Sequence, residues 1–324
     1  MKTGGSLGDM SDGEAADPGG EGAASPRVIA IFGPTASGKT AVAEALAEHM
    51  PAELVSADSA QVYRGLPILT NQSARSARLV AIWALDREAS VAQYQELAHA
   101  AIDEILAAGR TAIVVGGTGL YFRAALARLD VPPRAPEGAR ERWEELYDRL
   151  GGSESHRLLA ERDAAAAAAV HPNDRRRVVR GLELADAGAS LKPSTDRLWA
   201  AETRHPTLIV GLDVPREILA ARIDDRTRAM FDVGVAEEVA TAYAGPLSTT
   251  ARQVMGLDEV ASLPREEAID ALAARTRKLA AYQRKWMRRI PGLVSVPADR
   301  PPEEVADEIL ALARARQRVP AGRS

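Results

Sequence analysis

The chain of 324 residues has no cysteine, which excludes a disulfide framework, a thiolate nucleophile and a Cys-based metal site. Aromatic residues make up only 4%, and the five histidines do not have the spacing of metal ligands. No run is long and apolar enough to span a membrane, and the polar residues 1–26 lack the pattern of a signal peptide. We therefore expect a cytoplasmic protein with a disordered tail at 1–26.

Excess positive charge is also lacking, because 41 Lys and Arg against 45 Asp and Glu give a formal net charge of −4. This balance excludes a protein that coats nucleic acid in bulk, but it hides two basic segments. They are "HPNDRRRVVR" at 171–180 and "RTRKLAAYQRKWMRR" at 275–289. Each is either a solvated helix face or part of a surface that grips one nucleic acid, and charge alone leaves both interpretations open.

The most informative segment is "GPTASGKT", residues 33–40, which has the spacing G-x-x-x-x-G-K-[ST] of a phosphate-binding loop. It follows the apolar "RVIAIF" and precedes the helical pattern "AVAEALAEHM", as this motif requires. Its glycines let successive N–H groups face an anion, and the helix N-terminus adds its dipole. Lys39 would add positive charge, and Thr40 would supply a hydroxyl for Mg²⁺.

Strand patterns alternate with helical patterns along most of the chain, which predicts an α/β fold with a P-loop NTPase-like parallel sheet flanked by helices. The interval 132–200 breaks the alternation and contains only helical patterns, including an alanine run, so we interpret it as an inserted all-helical subdomain. The catalytic core would then comprise 27–131 and 201–314, with a frayed tail at 315–324. The predicted strands are 27–32, 53–57, 111–115, 207–213 and 293–296, and the predicted helices of the core are 41–50, 91–108, 216–230, 234–243 and 266–289.

Two further polar segments follow predicted strands and should reach the same edge of the sheet as the phosphate-binding loop. The strand "TAIVV" is followed by "GGTGLY", which contains Thr118 and lacks the Asp that orders Mg²⁺ in a P-loop ATPase, so ATP hydrolysis is disfavoured. Asp58 follows the second strand, where we interpret it as a general base. A helix N-cap and a Mg²⁺ ligand are the alternatives for this residue.

Six segments occur in this order: "GPTASGKT", "SADSAQVYRG", "SVAQYQELAHAAIDEIL", "VVGGTGLY", "VHPNDRRRVVRGLEL" and "TRKLAAYQRKWMRR". Together they resemble the tRNA dimethylallyltransferase family over about residues 27–297. The resemblance implies transfer of a dimethylallyl group from dimethylallyl diphosphate to the exocyclic amine of the adenosine 3′ of the anticodon, with release of diphosphate. It also implies Mg²⁺ as cofactor and a helical insert that grips the anticodon stem. The adenosine must be flipped out of its loop, at a cost of about a few kcal/mol.

The resemblance further implies roles for individual residues. Lys39, Asp58 and Thr118 are the implied catalytic residues, and the motif "ARIDDR" implies that Arg226, favoured over Arg222, reaches the diphosphate. The implied diphosphate-binding residues are Gly33, Pro34, Thr35, Ala36, Ser37, Gly38, Lys39, Thr40 and Arg226, with Thr40 as the metal ligand. The implied tRNA-binding residues are Asp58, Ser59, Ala60, Gln61, Arg176, Arg177, Arg180, Gln253, Arg284, Lys285 and Arg288.

The sequence departs from the family pattern in three places. The segment 66–90 is short and has no histidine, so Trp83 is either a wall of the prenyl pocket or part of the core. The residues at 256–259 read "GLDE" where the family has "GYKE". Ala281 and Tyr282 replace residues that are usually basic. We therefore expect tRNA binding to be weaker or differently distributed.

Three other functions share some of these features. A small-molecule kinase would share the phosphate-binding loop but would not need the basic segment 275–289. Prenyl transfer to free adenine nucleotides would not need the "HPND" segment, the arginine cluster or the insert. An RNA-binding module with a vestigial loop is disfavoured by the intact Lys39, Thr40 and Asp58. We expect a monomeric enzyme whose partner is the anticodon stem-loop of tRNA and which does not associate with membranes.

Overall fold

The computed structural model describes residues 27–73, 75–131, 138–192 and 197–318. Its centre is a five-stranded parallel sheet with the strand order β2-β3-β1-β4-β5. The predicted α/β fold is therefore confirmed, and every predicted strand lies within one residue of an observed one. The strands are β1 (Val28–Phe32), β2 (Ala52–Ser56), β3 (Thr111–Gly116), β4 (Thr207–Asp213) and β5 (Val294–Pro297).

Helices cover both faces of the sheet. The five predicted core helices are confirmed to within two residues, and no described helix is long and apolar enough to cross a membrane. The described helices are α1 (Lys39–His49), α2 (Val91–Ala107), α3 (Gly119–Leu126), α4 (Ala139–Leu150), α5 (Gly152–Arg162), α6 (Ala164–Ala169), α7 (Arg175–Asp186), α8 (Arg216–Asp232), α9 (Val235–Tyr243), α10 (Leu257–Ser262), α11 (Arg265–Met287) and α12 (Pro302–Arg318).

The alternation of side chains along β1 divides the core into two layers. Val28, Ala30 and Phe32 pack with α2, α3, α9, α10 and α11, whereas Ile29 and Ile31 pack with α1 and α12. Successive residues of a strand point to opposite faces, so a strand that is buried on both sides must be apolar throughout. This explains why "VIAIF" contains no polar residue.

Helix α12 was not predicted, although its sequence carries the signal of a helix. Val305, Ile309 and Ala313 recur at intervals of four residues and are buried against the sheet. The helix ends at Arg318, so residues 315–318 of the predicted frayed tail belong to it. Residues 319–324 and the predicted disordered tail at 1–26 lie outside the described residues.

The segment between α3 and β4 contains the helices α4 to α7, which have a core of their own. Trp143, Leu159 and Leu182 are among the buried residues of that core. Asp174 of the "HPND" segment caps α7, because its side chain accepts a hydrogen bond from the backbone N–H of Arg177. The local sequence thus determines where the helix that carries the arginine cluster begins.

Part of the segment 66–90, around Arg78, covers an exposed edge of the sheet, whereas other residues of the segment line the site: Leu69, Thr70, Asn71, Glu88, Ala89 and Ser90. The backbone N–H of Arg78 donates to Leu54 O (2.8 Å), and the N–H of Ser56 donates to Arg78 O (2.9 Å). Arg78 thereby pairs with the edge strand β2. Trp83 is 3% exposed and packs in the main core, so of its two interpretations the core residue is correct.

The carboxyl ends of β2 and β3 approach each other unusually closely. A Cβ atom on Gly116 would lie 2.2 Å from the carbonyl oxygen of Ala57, so only glycine fits there. Ala57 donates its N–H to Val115 O (2.7 Å) at the same place. This contact sets Asp58 and Thr118, the residues that follow the two strands, next to each other.

We predict that Gly116→Ala lowers the free energy of unfolding by about 1–3 kcal/mol, because the added methyl group overpacks the two strand ends. Urea denaturation measures this change. Gly245→Ala is the matched control, since the nearest atom to its Cβ would be 4.0 Å away. Equal stability of the two variants would contradict the proposed close packing.

Candidate active site

The phosphate-binding loop joins β1 to α1 and contains an unsatisfied polar group. The hydroxyl of Ser37 is buried and has no hydrogen-bond partner among the described residues. The Lys39 ammonium donates to the backbone carbonyl of Pro34 (2.7 Å), at the other end of the loop. A buried hydroxyl without a partner is costly, so this loop is suited to a bound anion.

Two desolvated cations meet at this loop. Arg226 of α8 donates to the hydroxyl of Thr35 (2.7 Å), while its Nε atom is buried without a partner among the described residues. Burial lowers the pKa of the Arg226 guanidinium, and the nearby Asp58 opposes this. Burial also lowers the pKa of Lys39 to about 8, against the effect of Asp58 and with the help of Arg226. An anion bound next to both cations would stabilise their charged forms, because it offsets their repulsion and their loss of hydration.

Asp58 faces this crevice from the end of β2. Its Oδ1 accepts a hydrogen bond from the backbone N–H of Ala60 (2.9 Å), and its charge acts on both Lys39 and Arg226. The residues that follow Asp58 form turns and not a helix, so the N-cap interpretation is wrong. Its carboxylate is held beside the cations and is open to the crevice that it lines.

Thr118 lies beside Asp58, at the N-terminus of α3. Its hydroxyl is 3.3 Å from both the backbone N and the Oγ of Ser59. The phosphate-binding loop, the end of β2 and the end of β3 therefore converge, as the parallel sheet requires. This convergence brings the three predicted catalytic residues, Lys39, Asp58 and Thr118, to one crevice.

Gln283 of α11 also belongs to the site, and the sequence analysis missed it. Its Oε1 accepts the backbone N–H of Thr35 (2.7 Å), and its Nε2 donates to the carbonyl of Gly117 (3.0 Å). The buried amide thus ties the phosphate-binding loop to the turn that carries Thr118. The only signal in the sequence was an uncharged amide within the basic segment.

The crevice has a volume of about 2300 Å³ and is lined by both the core and the helical insert. The insert contributes Arg176, Arg177 and Arg180 from α7. Arg176 and Arg177 are exposed and form no ion pair with another described residue, whereas Arg180 pairs with the buried Glu183 (2.8 Å). Other predicted tRNA-binding residues that line the crevice are Asp58, Ser59, Ala60, Gln61 and Gln253.

Of the remaining predicted tRNA-binding residues, Arg284 and Lys285 lie on another face of α11, and Arg288 directly follows the helix. The guanidinium of Arg284 pairs with Asp213 at the end of β4 (3.2 Å). Lys285 and Arg288 are exposed and, like Arg284, do not line the crevice. Their contact with tRNA stays a prediction.

Comparison with known proteins identifies the family. The model of the IPP transferase family matches residues 61–290, and that of the isopentenyl transferase family matches residues 26–82. The tRNA dimethylallyltransferase of Corynebacterium jeikeium is 37% identical over 300 residues, which are 88% of this chain and 96% of that protein. The tRNA dimethylallyltransferase of Anaeromyxobacter dehalogenans is 40% identical over 298 residues, which are 87% of this chain and 99% of that protein.

Solved structures agree with the sequence comparisons. The full-length tRNA isopentenylpyrophosphate transferase of Bacillus halodurans has a TM-score of 0.63 and 31% identity, with 89% of this chain and 97% of that chain covered. A eukaryotic dimethylallyltransferase acting on tRNA has a TM-score of 0.68 and 25% identity, with 84% of this chain and 74% of that chain covered. The chain therefore belongs to the tRNA dimethylallyltransferase family, and it is a prenyltransferase that modifies tRNA.

Proposed function

We propose that the crevice holds the diphosphate of dimethylallyl diphosphate against Lys39 and Arg226 and receives a flipped adenosine of the anticodon loop beside Asp58. The observation that carries this proposal is the meeting of a desolvated cation pair with one carboxylate in a single crevice. The cations match the charge that develops on a departing diphosphate. The carboxylate matches the proton that an amine must lose.

The reaction exchanges one bond for another. The C–O bond between the allyl carbon and diphosphate breaks, and its electron pair leaves with the diphosphate. The exocyclic nitrogen of adenine forms the new C–N bond, and its proton passes to the Asp58 carboxylate. Lys39, Arg226 and the N–H groups of the phosphate-binding loop stabilise the leaving group, since they are already oriented before the reaction begins.

We assign the hydroxyl of Thr118 to the diphosphate, on the side nearest Asp58. The Thr118 hydroxyl makes no capping hydrogen bond at the start of α3, and its contacts with Ser59 are long (3.3 Å). A ligand in the crevice can therefore compete for this hydroxyl. Gln283 acts through the loop that it fixes, because it occupies the Thr35 N–H and the Gly117 carbonyl. All the residues assigned to the reaction belong to one chain.

The residues of the loop also fit Mg²⁺. Mg²⁺ in phosphate sites usually takes one or two protein oxygens and completes its shell with phosphate oxygens and water. The hydroxyl of Thr40 lines the crevice in the first turn of α1. The described residues contain no cluster of three or more acidic, His or Cys ligands, so we propose that Mg²⁺ binds together with the diphosphate. It would neutralise charge on the leaving group.

We propose that the anticodon stem-loop lies between α7 of the insert and the core. Arg176 and Arg177 are exposed and would contact phosphates from one side, while Gln253 lines the crevice on the core. Flipping the target adenosine costs about a few kcal/mol. Contacts to the surrounding loop from both sides would offset that cost.

We predict that Asp58→Asn lowers kcat about 10²- to 10⁴-fold, because the amide cannot accept the proton of the amine. The assay incubates anticodon stem-loop RNA with dimethylallyl diphosphate and follows the RNA by mass. Affinity for the RNA should stay within about threefold, because the side chain keeps its shape. Asp86→Asn is the matched control on an exposed carboxylate outside the crevice. Undiminished turnover would remove Asp58 as the base.

We predict that Lys39 makes diphosphate binding depend on pH. The ammonium is charged at pH 7 and loses its proton as the pH rises through about 8. Diphosphate binds tightly only when Lys39 is charged. The ratio of the affinity of the wild type for diphosphate to that of Lys39→Met should therefore fall about tenfold between pH 7 and pH 9. Calorimetry with inorganic diphosphate measures both affinities, and ionisation of the ligand cancels in their ratio. A constant ratio would show that Lys39 does not titrate in this range.

We predict that replacing Arg176 and Arg177 by Gln weakens stem-loop binding and flattens its dependence on salt. Loss of two phosphate contacts should reduce the slope of log Kd against log salt by about 1.5. The matched control, Arg314→Gln with Arg316→Gln, removes the same charge from α12, outside the crevice. If both pairs change the slope equally, net charge and not contact is responsible.

A further inference from the structure

Three aromatic side chains form a cluster at the crevice, although aromatics are scarce in this chain. The ring centroids of Trp199 and Trp286 are 4.7 Å apart, and those of Tyr282 and Trp286 are 6.5 Å apart. All three line the crevice. Tyr282 is 57% exposed, which is unusual for a tyrosine that serves only to pack a core.

The cluster is held rigidly next to the reacting groups. The ring of Trp286 lies directly on the backbone of Gly119, where a Cβ atom would be 2.1 Å from the ring. Gly119 follows Thr118 in the chain. On the other side, the buried Arg123 donates to the carbonyls of Leu198 (2.9 Å) and Ala200 (2.7 Å), and so fixes the turn that carries Trp199.

Two members of the cluster, Tyr282 and Trp286, lie on one face of α11, with an arginine before them and another after them. Leu279, Tyr282 and Trp286 line the crevice at the spacing of a single helix face. Arg275 precedes them, and Arg289 follows, with its guanidinium carbon 3.7 Å from the centroid of the Trp199 ring. Arg275 forms an ion pair with Glu259, so the face of α11 that looks into the crevice is aromatic in the middle and has one paired arginine before it and Arg289 after it.

Flat exposed rings beside arginines suit a nucleobase and its phosphate. Sequence-specific RNA recognition uses unpaired bases that stack on aromatic side chains or on arginine, and each such stack contributes about 1–3 kcal/mol. The Trp286 ring is already covered by Trp199, so the free surface belongs to Tyr282. Trp286 lies on Gly119, which is next to Thr118, and Tyr282 lies beside Trp286. A base stacked on Tyr282 would therefore be close to the flipped adenosine.

We propose that Tyr282 stacks one unpaired base of the anticodon loop, a neighbour of the flipped adenosine, on the surface formed with Trp286 and Trp199. This inference rests on the proposed function and specifies how its RNA is held.

A double-mutant cycle between protein and RNA tests the proposal. Tyr282→Leu keeps an apolar side chain without a π face, and Tyr282→Phe keeps the ring. We expect Tyr282→Leu to raise the Kd of the intact stem-loop about tenfold with an unchanged salt slope, and Tyr282→Phe to change the Kd less than twofold. A series of stem-loops with one abasic nucleotide each should contain one loop, abasic beside the target, for which Tyr282→Leu has no effect.

Three results would overturn the proposal. The first is equal affinity of the wild type and Tyr282→Leu for the intact stem-loop, and the second is an undiminished loss with every abasic loop. The third is a higher KM for dimethylallyl diphosphate with unchanged RNA affinity, which would assign the ring to the prenyl group. If the wild type fails to modify the stem-loop, both the proposed function and this inference are wrong. If the wild type modifies the stem-loop normally but any of the three results is found, only the inference is wrong.

Discussion

The structure depends on keeping two half-buried positive side chains together in one crevice. Lys39 and Arg226 come from helices on different segments of the chain, and their charges repel. Only Asp58 partly compensates them in the described residues near the loop, and it does so from the place where a nucleophile would enter. An anion between the cations relieves the repulsion, and its departure restores it. In the proposed function, a diphosphate is the anion that relieves this repulsion.

The parallel sheet makes this arrangement possible because it brings three strand ends to one edge. Gly116 lets β2 and β3 approach closely, and the loop after β1 follows in the next strand position. Gln283 then fastens the loop to the turn after β3. The helical insert contributes Arg176, Arg177 and Arg180 to the lining of the same crevice. In the proposed function, the core binds the small substrate and the insert binds the RNA.

Much of this could be predicted from the sequence, because local patterns determine it. The strands follow from apolar runs, and the phosphate-binding loop follows from its spacing, so Lys39, Asp58 and Thr118 were expected at the same edge. The role of Gln283 could not be predicted, since its partners are far away in the chain and its own helix looks merely basic. The sequence also could not predict which side of α11 faces the crevice. That orientation depends on the packing of Trp286 on Gly119, and these two residues are far apart in the chain.

The contact between Thr35 and Gln283 has a consequence for biosynthesis. The two residues are 248 positions apart, so the phosphate-binding loop leaves the ribosome long before its fastening amide exists. At about 5–20 residues per second, the delay is roughly 12–50 s. During this time the nascent loop lacks the support that shapes it. The phosphate-binding loop can therefore take its fastened form only when translation is almost finished.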